Sequence, residues 1–347
     1  MNTDRRSVLK AGGLAALLGT TGLAGCSGLL AGGGSSAASW QYDPAALSET
    51  ANKFFGSMDV ASLYQARENL PESTRQGLEN PGDSPIDPSE LDAASGVAGM
   101  TVSTGERTFA AFGSVALTGS FAASDVTDAA TEDGEAEQVG EYQGYSLWES
   151  TGDVTGSTGI QDSTATLAVS EGALVVGAAG ARGTETSVTG EAAVKKMIDA
   201  NNGDAKRLRT DNQFIKTLSN ELGSGSGTFR VGGAVDPALI AAYAGMAGGG
   251  GGQFFDGLRA GGLDMAIDGS TTTFTGVVVY EDSQAARDTE MKKIVERFGS
   301  TLTEREEYDS VSASYSGQSV IVTLKGDTKA LFEQGASQAP VDPGGGI

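Results

Sequence analysis

From Trp40 onward, apolar residues recur at two spacings, every second residue and every third or fourth. The first spacing predicts half-buried strands and the second amphipathic helices. Asn52 to Asp59, with Phe54-Phe55 at its centre, reads as a strand. Val60 to Glu68 and Pro71 to Glu79 read as helices. Pro81, Pro85 and Pro88 then break the chain into a linker, and Asp87 or Ser89 is placed to cap a short helix through Ala94. Thr108 to Leu117 is a predicted strand, Ser124 to Thr131 a helix, and Gly144 to Glu149 and Ala165 to Val169 strands. Ala173 to Val176 follows the Glu171-Gly172 turn as a further strand. Glu191 to Ala200 carries Val194, Met197 and Ile198 on one helical face. Next come a helix at Asp211 to Leu222, a strand at Thr228 to Val235, and a helix opened by Asp236-Pro237, a cap followed by proline at the first helical position. After five glycines, Gly248 to Gly252, Leu263 to Ile267 alternates as a strand. Thr272 to Tyr280 is a strand, and Ser283 to Phe298 a strongly amphipathic helix. Asp309 to Tyr315 and Ser319 to Leu324 form a hairpin, and Asp327 caps a helix carrying Leu331 and Phe332.

The chain thus alternates short strands with helices. The order strand, helix, strand, strand, helix occurs from Thr108 and again from Thr272, and Glu141-Tyr142 matches Glu307-Tyr308 ahead of the third element. This predicts an internal duplication of a β-α-β-β-α unit. The expected divisions are an N-terminal α/β segment at 40–95, a first unit with its following helix at 96–222, a second unit with the glycine-rich loop at 223–336, and a disordered tail at 337–347.

Charge changes the picture most. The chain of 347 residues has a formal net charge of −22. Leaving out the first 25 residues leaves 20 basic against 44 acidic side chains. In dilute buffer such a surplus works against the compact state, and concentrated salt screens it. The composition resembles that of proteins from salt-loving archaea. A polyanion is repelled, so no nucleic-acid partner is expected. A single cysteine, Cys26, rules out an intramolecular disulfide, and there is no histidine. Serine and cysteine nucleophiles that depend on histidine, His-ligated zinc and the facial iron triad are therefore excluded.

The N-terminus carries two signals in sequence. Asp4-Arg5-Arg6-Ser7-Val8-Leu9-Lys10 resembles the twin-arginine export motif, and the apolar stretch Ala11 to Gly25 is too short to span a bilayer. Leu23-Ala24-Gly25-Cys26 resembles a lipobox, with small residues before the cysteine that receives the lipid. The resemblance implies a signal peptide at 1–25, a lipidated Cys26, and a flexible tether at 26–39 containing Gly32-Gly33-Gly34-Ser35-Ser36. Its partner is then the membrane, reached through lipid on Cys26, with the body on the extracellular face.

Within the body, Tyr142-Gln143-Gly144-Tyr145, Ala173-Leu174-Val175-Val176-Gly177, Val194-Lys195-Lys196-Met197-Ile198-Asp199 and Asp211-Asn212-Gln213-Phe214 together resemble a group of exported proteins of unknown function, over about residues 97 to 300. The resemblance implies antiparallel sheets with helices packed on them, an α+β architecture, and carries no activity.

Candidate chemistry is sparse. The run Gly248 to Gly252 lacks the Gly-Lys-Ser/Thr ending of a phosphate loop and reads as a flexible loop beside Phe254 and Phe255. Asp125, Asp128, Glu132, Asp133, Glu135 and Glu137 fit no calcium-loop spacing. Tyr142, Tyr145 and Trp148 are candidates for a sugar-stacking platform, although core filling is the commoner use of such residues. Lys195, Lys196, Lys206, Arg207, Arg209 and Lys216 place 6 of those 20 basic residues within 22 positions. They are the candidate contact for an anionic envelope polymer or acidic partner, unless nearby carboxylates pair with them. No nucleophile elbow is present, and no carboxylate pair stands out, so no catalytic residue, metal or cofactor is expected. The sequence reads as a lipid-anchored surface protein of a halophile, a non-enzymatic binding or structural envelope component. The alternatives are a solute-binding lipoprotein of a transporter and, further off, a carboxylate-based hydrolase.

Overall fold

The computed structural model describes residues 37–50, 52–79, 84–103, 108–132, 136–150, 161–223, 227–240, 255–302, 305 and 307–337. The export motif at Arg5 and Arg6, the lipobox at Leu23, Ala24, Gly25 and Cys26, the glycine-rich part of the tether, and the run Gly248 to Gly252 lie outside these residues.

The body is α+β. Its strands, in chain order, are β1 (Asn52–Asp59), β2 (Leu91–Ser103), β3 (Thr108–Gly119), β4 (Ala136–Tyr142), β5 (Tyr145–Ser150), β6 (Gln161–Ser170), β7 (Ala173–Arg182), β8 (Phe229–Ala234), β9 (Leu258–Asp268), β10 (Thr271–Tyr280), β11 (Tyr308–Ser316) and β12 (Ser319–Asp327). They form one antiparallel sheet in the order β11-β12-β10-β9-β8-β1-β2-β3-β7-β6-β5-β4. The helices are α1 (Val60–Gln65), α2 (Glu72–Glu79), α3 (Ala123–Thr131), α4 (Gly190–Asn202), α5 (Leu208–Asp211), α6 (Gln213–Glu221), α7 (Ser283–Asp288), α8 (Met291–Leu302) and α9 (Thr328–Ser337).

Paired residues on neighbouring antiparallel strands point to the same side of the sheet, so the registers assign each strand's two faces. Phe55, Val97, Gly232, Gly262 and Val277 share the first face, under α4 and α6. Glycine there admits helices closely: a Cβ on Gly232 would lie 2.9 Å from Leu218 of α6, and one on Gly177 would lie 2.7 Å from Val194 of α4. The second face holds two smaller clusters. One packs Val126 of α3 with Leu167 and Leu174, and the other packs Ala286 of α7 with Tyr280 and Val320.

A duplication is present in the sheet, but its frame differs from the expected one. Strands β1-β2-β3-β7-β6 and β8-β9-β10-β12-β11 follow the same order, and the two sets meet where β1 and β8 pair antiparallel. The first set therefore includes residues 52–103, most of which the sequence reading assigned to a separate segment. The hairpin β4–β5 is an addition beyond β6. Glu141-Tyr142 sits in that hairpin, whereas Glu307-Tyr308 opens β11, whose counterpart is β6, so that sequence match aligns unlike elements. The closing helices also differ. Val194 of α4 packs on the first face at Gly177, whereas Leu331 of α9 packs on the second face at Gly326.

Several local expectations are corrected. Asp87 does cap a turn, accepting from the Ser89 amide, but only over Pro88–Glu90; the predicted helix through Ala94 is instead the start of β2. Pairing with β1 and β3 on both sides overrides the local signal in this run of Ala, Ser and Gly. The acidic segment after α3 includes the strand β4, paired by a hairpin through Gln143 and Gly144, both at positive φ as this turn requires. The helix expected at 211–222 breaks at Asn212, whose side chain accepts from Phe214 and Ile215 amides and starts α6. The helix expected at 283–298 breaks at Glu290, at φ 50°. The tether ends earlier than residue 39: Ala37–Trp40 form a buried turn, and Ser95 donates to the Ala37 carbonyl at 2.7 Å.

Candidate functional site

The first-face centre holds a polar row among apolar ones. Ser95, Ser57, Arg230, Asp264, Thr275, Thr323 and Ser312 are successive register partners across β2, β1, β8, β9, β10, β12 and β11. Arg230 and Asp264, 7% and 9% exposed, are the buried ion pair within it. Arg230 donates through Nε to Asp264 Oδ1 at 2.8 Å and through a terminal nitrogen to the Leu222 carbonyl at 3.1 Å. Burial raises the Asp264 carboxyl above the usual range, and the Arg230 charge opposes that shift. Gly227 leaves the room: a Cβ there would lie 2.2 Å from the carboxylate.

A second guanidinium lies beside this pair. Residues 41–43 and 206–208 run alongside each other, with Asp43 donating its amide to the Lys206 carbonyl at 3.0 Å and Leu208 donating to the Gln41 carbonyl at 2.9 Å. Leu208 is fully buried and fixes the turn, so Arg209 reaches over the ring of Phe55, 5.9 Å from its centroid. Burial, and then the Arg230 charge, pull Arg209 below its ordinary value. Among the described residues Arg209 has no carboxylate at ion-pair distance, and its Nε is buried without an acceptor. The hydroxyls of Ser57 and Ser219 are also buried without partners. Among the described residues, Arg209, Arg230 and Asp264 thus bring two guanidiniums to one carboxylate. Paired N–H donors of this kind match a carboxylate or phosphate oxygen.

The rest of the predicted basic cluster does not converge there. Lys195 pairs with Glu191 at 2.6 Å and lies 5.1 Å above the Tyr142 ring, and Lys196 pairs with Asp199 at 3.1 Å. Lys206 pairs with Asp211 at 3.0 Å. Arg207 donates through Nε to the Ala200 carbonyl at 3.2 Å, at the C-terminal end of α4. Lys216 is exposed on α6. Carboxylates thus take three of the six, a helix end takes a fourth, and Arg209 differs from them.

The aromatic trio does not form a platform. Tyr142 and Tyr145 pack against the first-face core, and Trp148 packs with the α3 cluster on the second. Tyr142 instead donates to Asp199 Oδ1 at 2.6 Å, and Gln143 donates to the same oxygen at 3.1 Å, so the added hairpin is clasped to the end of α4. Of the acidic segment, Asp125, Asp128 and Glu132 lie along or at the end of α3 and Glu137 on β4. Among the described residues no three carboxylates gather for a metal, and no helix is long and apolar enough to cross a membrane. Phe255 is an exposed large apolar residue, at 38%.

The Arg230–Asp264 pair escaped sequence reading because 34 residues separate its members. A signal existed: each is a lone charge inside an otherwise uncharged core of a predicted strand, and the two are of opposite sign.

The fold is that of an α+β chain built on one antiparallel sheet. No protein-family model and no curated protein matches its sequence. Its outline is similar to three crystal forms of TP0453. Form III aligns at a TM-score of 0.43 and 11% identity, covering 87% of this chain and 97% of that one. Form IV gives 0.40 and 12%, over 86% and 99%, and form I gives 0.39 and 12%, over 84% and 94%. Similarity at this level carries nothing about the site.

Proposed function

We propose that this chain is a lipid-anchored protein on the extracellular face of a halophile's membrane, and that its body is a non-enzymatic binding component of the envelope. Its partner, a protein or polymer, presents an anionic group to Arg209. The observation that carries the reading is Arg209 itself: in a chain with 45 acidic residues, this half-buried arginine sits beside Arg230 and, among the described residues, has no carboxylate at ion-pair distance. The twin-arginine motif and the lipobox ending at Cys26 supply the location. Among the described residues all strands pair antiparallel, which supports this reading over a two-lobed solute-binding protein, whose lobes need buried parallel strands. Asp264 is held by Arg230, which gives a carboxylate-based hydrolase no support.

The test compares three intact, C-terminally tagged chains in native membranes in molar salt: wild type, Cys26→Ser and Arg209→Gln. Wild type is expected in the membrane fraction, cross-linked to one stoichiometric envelope component, and Cys26→Ser in the soluble fraction. Arg209→Gln is expected to stay in the membrane while losing its cross-linked partner at least tenfold, with Lys195→Gln as an unaffected control. Equal cross-linking by Arg209→Gln would remove the site. A clean monomer retaining a small molecule would favour solute binding.

A further inference from the structure

The two edges of the sheet are built differently. At one end β4 is irregular and charged: its register with β5 shifts between Gln138 and Gly140, it carries Glu137 and Glu141, and Glu137 stands opposite Glu149. These are the devices by which natural sheets prevent further pairing. At the other end β11 opens with Asp309 and a register shift between Tyr308 and Ser310, but from Ser310 to Ser316 it has neither device. That stretch holds no charged residue and no proline, and its register with β12 is regular throughout. Neighbouring β10 (Thr271–Tyr280) and β12 from Ser319 to Leu324 are likewise uncharged. In a chain whose residues are 20% charged, with a surplus of 22 negative charges, the stretch Ser310 to Ser316 is where another copy can approach between Asp309 and the hairpin turn without meeting a carboxylate on the strand itself.

The side chains of β11 fit their own reverse. Ser310, Ser312 and Ser314 are exposed on the first face, and Val311, Ala313 and Tyr315 are on the second, where Gly299 of α8 lies against Val311. Laid antiparallel on itself about Ala313, the strand sets Ser312 opposite Ser314 and Ser310 opposite Ser316 on one face. On the other it sets Ala313 opposite Ala313 and Tyr315 opposite Val311. The Ser312–Ser314 hydroxyl pairs and the aromatic–β-branched pairs are favourable cross-strand neighbours, and Ser316 keeps its hydroxyl on Glu221 of α6, donating at 2.7 Å. We propose that β11 is the contact between two copies of this chain, which pair their β11 strands antiparallel about a two-fold axis at Ala313 and join two sheets into one. The contact is isologous and closes at two copies, because the far edge is guarded. It does not involve Arg209 and stands or falls separately from the partner proposed above.

Sedimentation equilibrium of the intact chain carrying Cys26→Ser, in molar KCl, tests this. The expected mass is twice 35.0 kDa. Ser312→Glu with Ser314→Glu is expected to yield a monomer whose thermal melt is otherwise native. In the same background, mild oxidation of Ser312→Cys copies mixed with Ser314→Cys copies is expected to give a disulfide between unlike copies, well above that from either alone. A wild-type monomer at up to about 0.1 mM overturns the proposal. So does a dimer that survives the double glutamate variant, or one in which the mixed cysteine copies fail to join. A monomer that cross-links through position 312 to a different protein assigns the edge to a foreign strand and also overturns it.

Discussion

At the scale of single residues, Asp199 ties the added hairpin to α4. Its carboxylate accepts from Tyr142 and Gln143 and pairs with Lys196. The hydrogen bond to Asp199 is the largest reason the Tyr142 phenol lies above its ordinary value of 10.0. A group raised on folding contributes stability at pH below its unfolded value and loses it as pH rises through the folded one. Tyr142→Phe is therefore expected to lower stability by about 1–2 kcal/mol at pH 8, and this gap should close as the melts are carried above pH about 10. A gap that persists unchanged at high pH would mean that the phenol contributes through packing. Little of this site was legible in advance. Tyr142, Lys195 and Arg209 were each singled out, but as members of clusters, and a cluster along the sequence says nothing about which carboxylate each cation meets. Arg207 and Arg209 are two positions apart, and one reaches a helix end while the other reaches an aromatic ring.

At the scale of elements, the spacing of apolar residues located most of the strands and helices, because each exposes one polar side to solvent. It failed at β2, whose two faces carry small residues and whose identity is set by the strands on either side. It also placed helix breaks poorly, since Asn212 and Glu290 act through one side chain or one dihedral angle. The junction of α4 with the sheet is the tightest such contact. Gly177 and Gly190 face each other so closely that a Cβ on Gly177 would lie 2.5 Å from the Gly190 carbonyl oxygen. Gly177→Ala is expected to destabilise the fold by about 2–3 kcal/mol, through displacement of α4. Gly140→Ala, with nothing within 4 Å of the added carbon, is expected to be near neutral in the same denaturant titration. Equal costs at the two positions would show that the α4 contact relaxes freely.

At the scale of the whole molecule, the chain carries a surplus of 22 negative charges. Repulsion among them reaches about 10 Å in 0.1 M salt and about 3 Å in 1 M. Lowering KCl from molar to about 0.05 M is expected to lower the melting temperature by several degrees or more, at about 2–4 °C per kcal/mol for a chain of this size. A melting temperature indifferent to salt would remove the halophilic reading while leaving the fold untouched. The duplication was visible in outline from sequence, but its frame was not. The repeat is defined by which strands pair, and the two strands that anchor it, β1 and β8, are separated by residues 60–228, about half the length of the chain.

That separation has a consequence for synthesis. When β2 and β3 have left the ribosome, β1 can pair on one side only, and its other edge, with Phe54 on one face and Phe55 on the other, waits for β8. At about 5–20 residues per second, that wait is on the order of ten seconds. Through this interval the nascent chain presents an open apolar edge, so the first half made alone is the form of this protein most exposed to aggregation.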